Sequence, residues 1–204
     1  MKLYYSPGAC SLSPHIALLE AGLPYDLVKV DLRTKKLENG DDYLKVNPKG
    51  QVPALALDGG EFVTEGPVIV QMIADKASAK NLAPARDSAE RYKLLEWLNY
   101  ITSEVHKNFG PLFSPVLSDD AKAFFKDRVM GKFKYVDGAL AGHDYLMGKQ
   151  FTVADGYLFT MLCWADRMNF DLSALPNLLA YKARVAARPK VQEALTKEGL
   201  LKAA

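Results

Sequence analysis

The sequence has few of the residues that usually hold metals or build disulfide scaffolds. Its 204 residues include only 2 cysteines and 3 histidines, and a pair of cysteines is too few for a disulfide framework at this length. No group of His and Cys residues has the spacing of metal ligands, so we predict no metal. This cysteine usage indicates a reducing compartment, and we expect the cytoplasm.

Long apolar runs and blocks of one charge are also missing. No run of about 18 apolar residues occurs, so we expect no membrane span, and the N-terminus lacks the apolar segment of a secretory signal. The 26 basic and 24 acidic residues nearly balance. Without a long Lys/Arg block we expect no nucleic-acid partner. The apolar share of 49% is that of an ordinary globular protein.

The first third of the chain alternates between strand and helix signals. MKLYYS is typical of a short strand, SLSPHIALLEAGL of a helix with Ser11 as N-cap and Gly22 at its end, and YDLVKVDL of a second strand. QVPALALDGGEFVTEG then predicts a hairpin turning at Asp58-Gly59-Gly60, and Pro67 opens a further helix. The order β-α-β, then β-β-α, predicts a small mixed sheet whose first pair is parallel.

After an Ala/Lys/Pro segment the strand signals stop. We therefore place an α/β domain at residues 1–80, a linker at 81–88 and an all-helical domain at 89–204. AERYKLLEWLNYITSEVHKNF carries apolar residues at helical spacing, as do three later segments. On that helix Asn99, Ser103 and His106 lie at i, i+4 and i+7, which puts them on one polar face.

Cys10 stands where the first strand gives way to a helix. Unpaired backbone N–H groups and the helix dipole at such a junction stabilise an anion, which lowers the pKa of a thiol. Ser13 occupies the place where a dithiol redox motif has its second cysteine, so any disulfide of Cys10 needs an external thiol such as glutathione. An inert, packed cysteine is the alternative. Cys163, in the apolar FTMLCWAD, is predicted to be buried and structural.

Two other loops have groups that suit a peptide-like ligand. Val52-Pro53 directly precedes a strand and leaves the amide and carbonyl of Val52 available for pairing; an ordinary turn is the alternative. Glu65 and Gly66 begin the last helix of the first domain. There the carboxylate suits a ligand ammonium and the Gly66 amide a ligand carboxylate, although Glu65 could also simply favour the helix. A zwitterionic amino-acid end fits both groups.

Together these stretches resemble the glutathione transferase family, most closely its bacterial beta class. The resemblance covers essentially the whole chain and rests on YYSPGACSLSPHIAL, NPKGQVPAL, TEGPVIVQ, SEVHKNF and FTVADGYLF in this order. It implies the glutathione transferase fold, an α/β thioredoxin-like N-terminal domain plus an all-α C-terminal domain. It also implies a cytoplasmic detoxification enzyme that works as a homodimer, with glutathione as co-substrate and no other cofactor.

The resemblance also assigns roles to residues of this chain. Cys10 matches the cysteine that contacts the glutathione sulfur and can form a mixed disulfide with it. Val52 matches the residue whose backbone pairs with the cysteinyl unit, beside a cis-proline at Pro53, while Glu65 and Gly66 match the pair that holds the γ-glutamyl end. Lys35 matches a lysine that reaches the glycyl carboxylate. The residues of the second domain that match those lining the site are Asn99, Ser103, Glu104, His106 and Lys107. His106 is the candidate that helps to hold the sulfur as thiolate.

This sequence departs from the family pattern at one position and leaves a second point open. Gly66 stands where the wider family usually has serine, so one hydroxyl contact to the γ-glutamyl carboxylate is missing. Several hydroxyl residues lie near the place where other classes keep a catalytic hydroxyl, and one of these rather than Cys10 could orient the thiolate: Tyr4, Tyr5, Ser11 and Ser13.

The predicted function is transfer of glutathione to small hydrophobic electrophiles, with Phe109, Phe113 and Trp164 as residues of either the electrophile pocket or the core. One alternative is a glutathione-dependent thiol transferase, peroxidase or reductive dehalogenase that passes through a Cys10–glutathione disulfide. Another is a non-catalytic binding or assembly module of the same fold. Asp155, three residues after Thr152 in FTVAD, fits a helix cap, so we predict a structural role for it.

Overall fold

A computed structural model of the chain describes residues 1–201, which form two compact units. The first unit comprises Met1–Ala83 together with the C-terminal segment that begins at Ala187, and the second comprises Pro84–Ala186. Within the described residues, no helix combines the length and the apolar character that crossing a membrane requires. The same residues contain no group of His, Cys, Asp and Glu that could hold a metal ion.

The first unit is built on a five-stranded sheet in the order β3-β2-β1-β4-β5. Its strands are β1 (Lys2–Tyr5), β2 (Asp26–Asp31), β3 (Lys36–Leu37), β4 (Ala54–Ala56) and β5 (Phe62–Thr64). β1 pairs in parallel with β2 and antiparallel with β4, which pairs antiparallel with β5. The predicted parallel pair and hairpin are therefore confirmed. The two-residue β3, antiparallel to β2, was not predicted, because its short, charged sequence resembles a turn.

Two helices of the first unit follow the strands that carry the predicted site. They are α1 (Leu12–Ala21) and α2 (Gly66–Lys76). Gly22 ends α1 with a φ of 67°, as predicted for a left-handed C-cap. Ser11 occupies the N-cap position of α1, but its side chain does not cap the helix. The Ser11 hydroxyl instead accepts from the Ser6 N–H at 3.1 Å and donates to the Ser6 carbonyl at 3.2 Å, which closes the loop before the helix.

A buried polar cluster joins the C-terminal segment, which contains α8 (Pro189–Lys197), to α1. Nδ1 of His15 lies 2.8 Å from Oε1 of Glu198, and both side chains are fully buried. The second carboxylate oxygen accepts from the Gly8 N–H at 2.8 Å, while Nε2 of His15 lies 3.0 Å from the Tyr25 hydroxyl. These contacts hold the C-terminal segment to the first unit, whereas the sequence pattern alone predicts that segment as part of a helical domain at 89–204.

The second unit is helical, as predicted. Its helices are α3 (Ala89–Tyr100), α4 (Lys107–Phe109), α5 (Asp119–Ala139), α6 (Val153–Arg167) and α7 (Pro176–Ala186). A π-helical turn, Ile101–His106, connects α3 to α4, and the sequence pattern did not reveal it. The predicted apolar face of this long element is fully buried and consists of Leu94, Leu98, Ile101 and Val105.

Asp155 has the predicted structural role in the first turn of α6. Its carboxylate accepts from the N–H and the hydroxyl of Thr152 at 2.7 and 3.0 Å, which completes a capping box. It also accepts from the Leu146 N–H at 2.9 Å and from the Tyr181 hydroxyl at 3.1 Å. Phe151, which directly precedes Thr152, is 3% exposed. Burial raises the pKa of Asp155 to about 6, against the lowering effect of these hydrogen bonds.

Candidate active site

Cys10 lies in the loop between β1 and α1, and its thiol is directed at another backbone segment. The Sγ atom donates to the carbonyl oxygen of Val52 at 3.1 Å, and the residue is half-buried. The loop before it is anchored at both ends of the Ser6–Gly8 stretch, by the Ser11 hydroxyl and by the Glu198 carboxylate. These contacts fix the position of Cys10 without burying it.

The Val52-Pro53 segment offers backbone groups next to that thiol. The Val52–Pro53 peptide bond is cis, as the family resemblance predicts. The carbonyl of Gln51 accepts from the Tyr43 hydroxyl at 2.8 Å and from the Asn47 amide at 2.7 Å. These two buried side chains fix the backbone directly before Val52. The N–H of Val52 has no hydrogen-bond partner among residues 1–201. An extended ligand can therefore pair with it.

Glu65 and Gly66 lie beside the same segment at the start of α2. A Cβ atom on Gly66 would lie 3.7 Å from Cγ of Pro53, so the helix start is adjacent to the Val52-Pro53 segment. Glu65 has a φ of 68° and a ψ of 110°, a conformation that costs a non-glycine residue about 1–3 kcal/mol and is found mainly at functional sites. Its carboxylate is 61% exposed and lies 2.6 Å from Nζ of Lys49.

Lys35, the predicted partner of a glycyl carboxylate, reaches the same stretch of chain. Its Nζ donates to the carbonyl of Gly50 at 2.8 Å. Gly50 has a φ of 61°, and a Cβ there would lie 3.0 Å from a methyl group of Leu44 and 3.4 Å from the Lys35 side chain. Only glycine combines this conformation with so close an approach. The lysine is therefore placed by the backbone of Gly50.

The four hydroxyl residues named as rivals of Cys10 are engaged or covered. Ser11 is bonded to Ser6, and Ser13 is 2% exposed with a hydroxyl that has no hydrogen-bond partner within the described residues. Tyr5 is 9% exposed, and its burial raises the pKa of the phenol. Tyr4 packs its ring against Tyr43 at a centroid distance of 5.6 Å. Neither serine is accessible to a ligand, whereas Cys10 is.

In the second unit, most of the predicted site residues lie on the surface around the π-helical turn. Asn99, Ser103 and Lys107 are exposed, and the Ser103 hydroxyl donates to the Asn99 carbonyl at 3.0 Å. Glu104 pairs with Lys132 at 2.6 Å, and this hydrogen bond lowers the pKa of the carboxyl group. Turns with π-helical bonding are rare and occur frequently at functional sites.

His106 leaves the polar face on which the sequence placed it. Its Nδ1 lies 2.6 Å from the Tyr157 hydroxyl, and its ring contacts the Trp164 ring edge-on at a centroid distance of 4.9 Å. Burial, assisted by the charge of Lys107, lowers the pKa of His106 to about 4. The imidazole is therefore neutral at pH 7 and can act as a hydrogen-bond donor but not as a cation.

The three aromatic residues predicted for an electrophile pocket or the core differ in exposure. Phe109 is fully buried and packs against Phe133 and Phe170, so it belongs to the core of the second unit. Phe113 is 48% exposed and meets Trp164 edge-on at a centroid distance of 5.0 Å. Trp164 itself is 7% exposed. Cys163, predicted to be buried, is half-buried instead.

Comparison with known families accounts for most of the chain. The family model "Glutathione S-transferase, N-terminal domain" matches residues 8–76, and "Glutathione S-transferase, C-terminal domain" matches residues 104–198. The chain belongs to the glutathione S-transferase family. The predicted family and fold class are thereby confirmed, and the matched ranges include the candidate site residues of both units except Asn99 and Ser103.

Individual relatives agree with this assignment. The chain is 50% identical over 200 residues to glutathione S-transferase GstA of Escherichia coli O157:H7, covering 98% of this chain and 100% of that protein. It is 51% identical to the sphingomonad glutathione S-transferase solved with glutathione, with a TM-score of 0.95 and coverage of 98% and 100%. It is equally similar, at 51% identity, TM-score 0.95 and the same coverage, to the bacterial beta class enzyme of Sphingomonas chungbukensis.

Two contacts in this glutathione S-transferase were missed by the sequence analysis. Lys49 pairs with Glu65 from a separate loop, and Tyr157 meets His106 across 51 residues of sequence. A lysine in a turn and a tyrosine in an apolar helix carry no local signal of these roles.

Proposed function

We propose that this glutathione transferase binds glutathione and catalyses attack of the glutathione thiolate on small hydrophobic electrophiles. The observation that carries the proposal is the continuity of the site in the first unit. The Cys10 thiol donates to the Val52 carbonyl, Pro53 lies beside Gly66, where a Cβ atom would be 3.7 Å from its ring, and Glu65 precedes Gly66 directly. A peptide paired with the backbone of Val52 therefore has a thiol on one side and an acidic group with a helix N-terminus on the other.

Each part of glutathione has a chemically matched group in the first unit. The unpaired N–H of Val52 and its carbonyl suit the cysteinyl unit, as in the pairing of two extended strands. The Glu65 carboxylate suits the γ-glutamyl ammonium, and the Gly66 N–H at the start of α2 suits the γ-glutamyl carboxylate. Lys35 suits the glycyl carboxylate, to which its ammonium can donate in place of the Gly50 carbonyl.

Activation of the sulfur follows from the position of Cys10. Its S–H group can turn from the Val52 carbonyl to a glutathione sulfur bound at the same backbone, and a hydrogen bond to the thiolate lowers the pKa of the glutathione thiol. The N-terminal end of α1, two residues beyond Cys10, adds a positive electrostatic potential. Holding the thiolate next to the electrophile then replaces a bimolecular encounter with an oriented attack.

The proposal includes residues of the second unit that the family resemblance names. His106 acts as a neutral hydrogen-bond donor towards the sulfur, since its Nδ1 is occupied by the Tyr157 hydroxyl. The polar residues proposed to contact glutathione are Asn99, Ser103, Glu104 and Lys107. Phe113 is the proposed contact for the electrophile, because it is half-exposed and belongs to an aromatic cluster. A homodimer and a cytoplasmic location are part of the same proposal.

Calorimetric titration of reduced glutathione into the purified protein tests the proposal. Saturable binding is expected for the wild type, with a clear loss of affinity for Glu65→Gln. Glu61→Gln is the matched control, because Glu61 is an exposed glutamate of the same unit, and it should bind like the wild type. Absence of binding at millimolar glutathione would favour the non-catalytic module of the same fold.

The accessibility of Cys10 favours a second candidate activity, thiol–disulfide exchange. In this reaction the Cys10 thiolate attacks oxidised glutathione, one S–S bond forms between Cys10 and glutathione, and one glutathione thiolate leaves. Cys10→Ala separates the two activities. Conjugation should largely survive, with the glutathione thiol less acidic, whereas exchange should vanish; loss of both activities in a folded variant would contradict this division.

A further inference from the structure

The ion pair between Lys49 and Glu65 extends the candidate site of the first unit by one charged residue. Lys49 lies in the turn before Gly50, and its N–H donates to the Asn47 side chain at 3.2 Å. Its Nζ reaches Oε1 of Glu65 at 2.6 Å and the Thr64 hydroxyl at 3.0 Å. No role of Lys49 follows from the sequence or from the function proposed above.

The geometry leaves room for a second partner on both members of the pair. Lys49 has three N–H donors, of which the two contacts above use two. Oε2 of Glu65 accepts no hydrogen bond within residues 1–201. The two side chains are 52% and 61% exposed, so a ligand from solvent can approach either of them without displacing the other.

The γ-glutamyl end of glutathione carries one ammonium and one carboxylate on the same carbon atom. Glu65 can take the ammonium through Oε2. For the carboxylate, the part of this site formed by residues 1–201 otherwise offers the Gly66 N–H, because Gly66 has no side chain that could add a hydrogen bond. An ammonium at 2.6 Å from Glu65 supplies the missing positive partner. The four charges then alternate: Glu65, ligand ammonium, ligand carboxylate, Lys49.

We propose that Lys49 binds the α-carboxylate of the γ-glutamyl group and makes the site specific for the complete zwitterion. This inference rests on the proposed function, since it requires glutathione at this site. The opposite role would be competition, in which Lys49 occupies Glu65 and must be displaced by the ligand ammonium. The Thr64 hydroxyl argues against that role, because it holds the lysine independently of Oε1 and leaves Oε2 available.

The test compares three ligands by calorimetry on wild type, Lys49→Met, Glu65→Gln and Lys45→Met. The ligands are glutathione, 4-aminobutanoyl-Cys-Gly, which lacks the α-carboxylate, and glutaryl-Cys-Gly, which lacks the ammonium. Lys45 is an exposed lysine of the same stretch and serves as the matched control. Thermal melting of each variant verifies that it is folded.

Lys49→Met is expected to weaken glutathione and glutaryl-Cys-Gly roughly three- to tenfold, the range for a partly exposed charged contact. It should leave 4-aminobutanoyl-Cys-Gly unchanged, since that ligand has no carboxylate for Lys49. Glu65→Gln should show the reverse selectivity, weakening the two ligands that keep the ammonium. Lys45→Met should bind all three ligands like the wild type.

Two results would overturn the inference. Tighter binding of glutathione by Lys49→Met would establish competition, and an equal loss for all three ligands would show that Lys49 only supports the loop. Both results leave the glutathione site itself intact. Failure of the proposed function has a different signature, namely absence of saturable glutathione binding in the wild type.

Discussion

Replacing Asp155 with alanine should reduce stability far more than catalysis. The carboxylate is completely buried and accepts four hydrogen bonds, from the Thr152 N–H and hydroxyl, the Leu146 N–H and the Tyr181 hydroxyl. Alanine keeps the helix but leaves these donors without that acceptor. Only Tyr181 keeps an alternative, because its hydroxyl also lies 3.1 Å from the Asp155 backbone carbonyl.

The expected loss can be worked from these contacts. A missing N-terminal cap costs about 1 kcal/mol, and a buried N–H without an acceptor costs about 1–3 kcal/mol. Relief of the buried charge offsets part of this, so we expect a net loss of about 2–3 kcal/mol near neutral pH. For a chain of this size each kcal/mol lowers Tm by about 2–4 °C. The variant should therefore melt several degrees below the wild type.

The pKa of Asp155 determines how the stability difference between the wild type and Asp155→Ala changes with pH. Folding raises this pKa from 3.8 to about 6, so the folded state binds the proton more tightly than the unfolded state. The corresponding stability is fully present below pH 3.8, is lost as the pH rises through about 6, and amounts to about 3 kcal/mol. The stability gap between wild type and Asp155→Ala should therefore be wider at acidic than at alkaline pH.

Thermal melts followed by circular dichroism and steady-state kinetics together test whether the role of Asp155 is structural. Melting is followed at about pH 5 and about pH 8, and kcat/KM with glutathione and chlorodinitrobenzene is measured well below Tm. Asp127→Ala is the control, because Asp127 is an exposed aspartate of α5 in the same unit. A variant that melts like the wild type and yet has no turnover would refute the structural role. A gap that widens towards alkaline pH would refute the direction of the pKa change.

Two further predictions concern buried hydrogen bonds. Tyr157→Phe removes the hydroxyl that pairs with His106 Nδ1 and should lower kcat several-fold. It should also lower the free energy of unfolding by about 1–3 kcal/mol, because a part-buried ring nitrogen loses its hydrogen bond, and it should change the imidazole ¹⁵N shifts that report the tautomer; unchanged shifts would contradict it. Glu198→Gln keeps the shape of the side chain but leaves one acceptor oxygen for two groups, His15 and the Gly8 N–H. It should lower the free energy of unfolding, measured by urea denaturation, by about 1–3 kcal/mol. A urea midpoint equal to that of the wild type would contradict this prediction.

Features with local causes could be predicted from the sequence. The hairpin follows from Asp58-Gly59-Gly60 between two apolar runs. The end of α1 follows from Gly22, because glycine adopts the left-handed backbone conformation at this position without the steric cost that other residues have. The capping box at Thr152 and Asp155 is likewise visible as a pattern of adjacent residues. Each of these depends on interactions within a few residues, which sequence spacing reports directly.

Features that depend on distant contacts could not be predicted. Ser11 has the right chemistry and position for an N-cap, yet its hydroxyl is used by the preceding loop. His106 is turned inward by a partner 51 residues away, and the last helix is attached to the first unit through a carboxylate 183 residues from its histidine. Spacing along one helix contains no information about such partners.

Three site residues of the first unit are hydrogen-bonded to other residues of the chain, and this bears on how strongly glutathione should bind. The contacts pair Lys35 with Gly50, Glu65 with Lys49 and Cys10 with Val52. Each is a partly exposed hydrogen bond, worth about 0–1 kcal/mol net. The ligand would exchange the contacts of Lys35 and Cys10 for similar ones and would add to the Glu65–Lys49 pair without breaking it. Affinity must then come from several exchanges made together with burial of the peptide backbone. A Kd near 1 mM needs only about 4 kcal/mol, so loss of one contact should weaken binding without abolishing it.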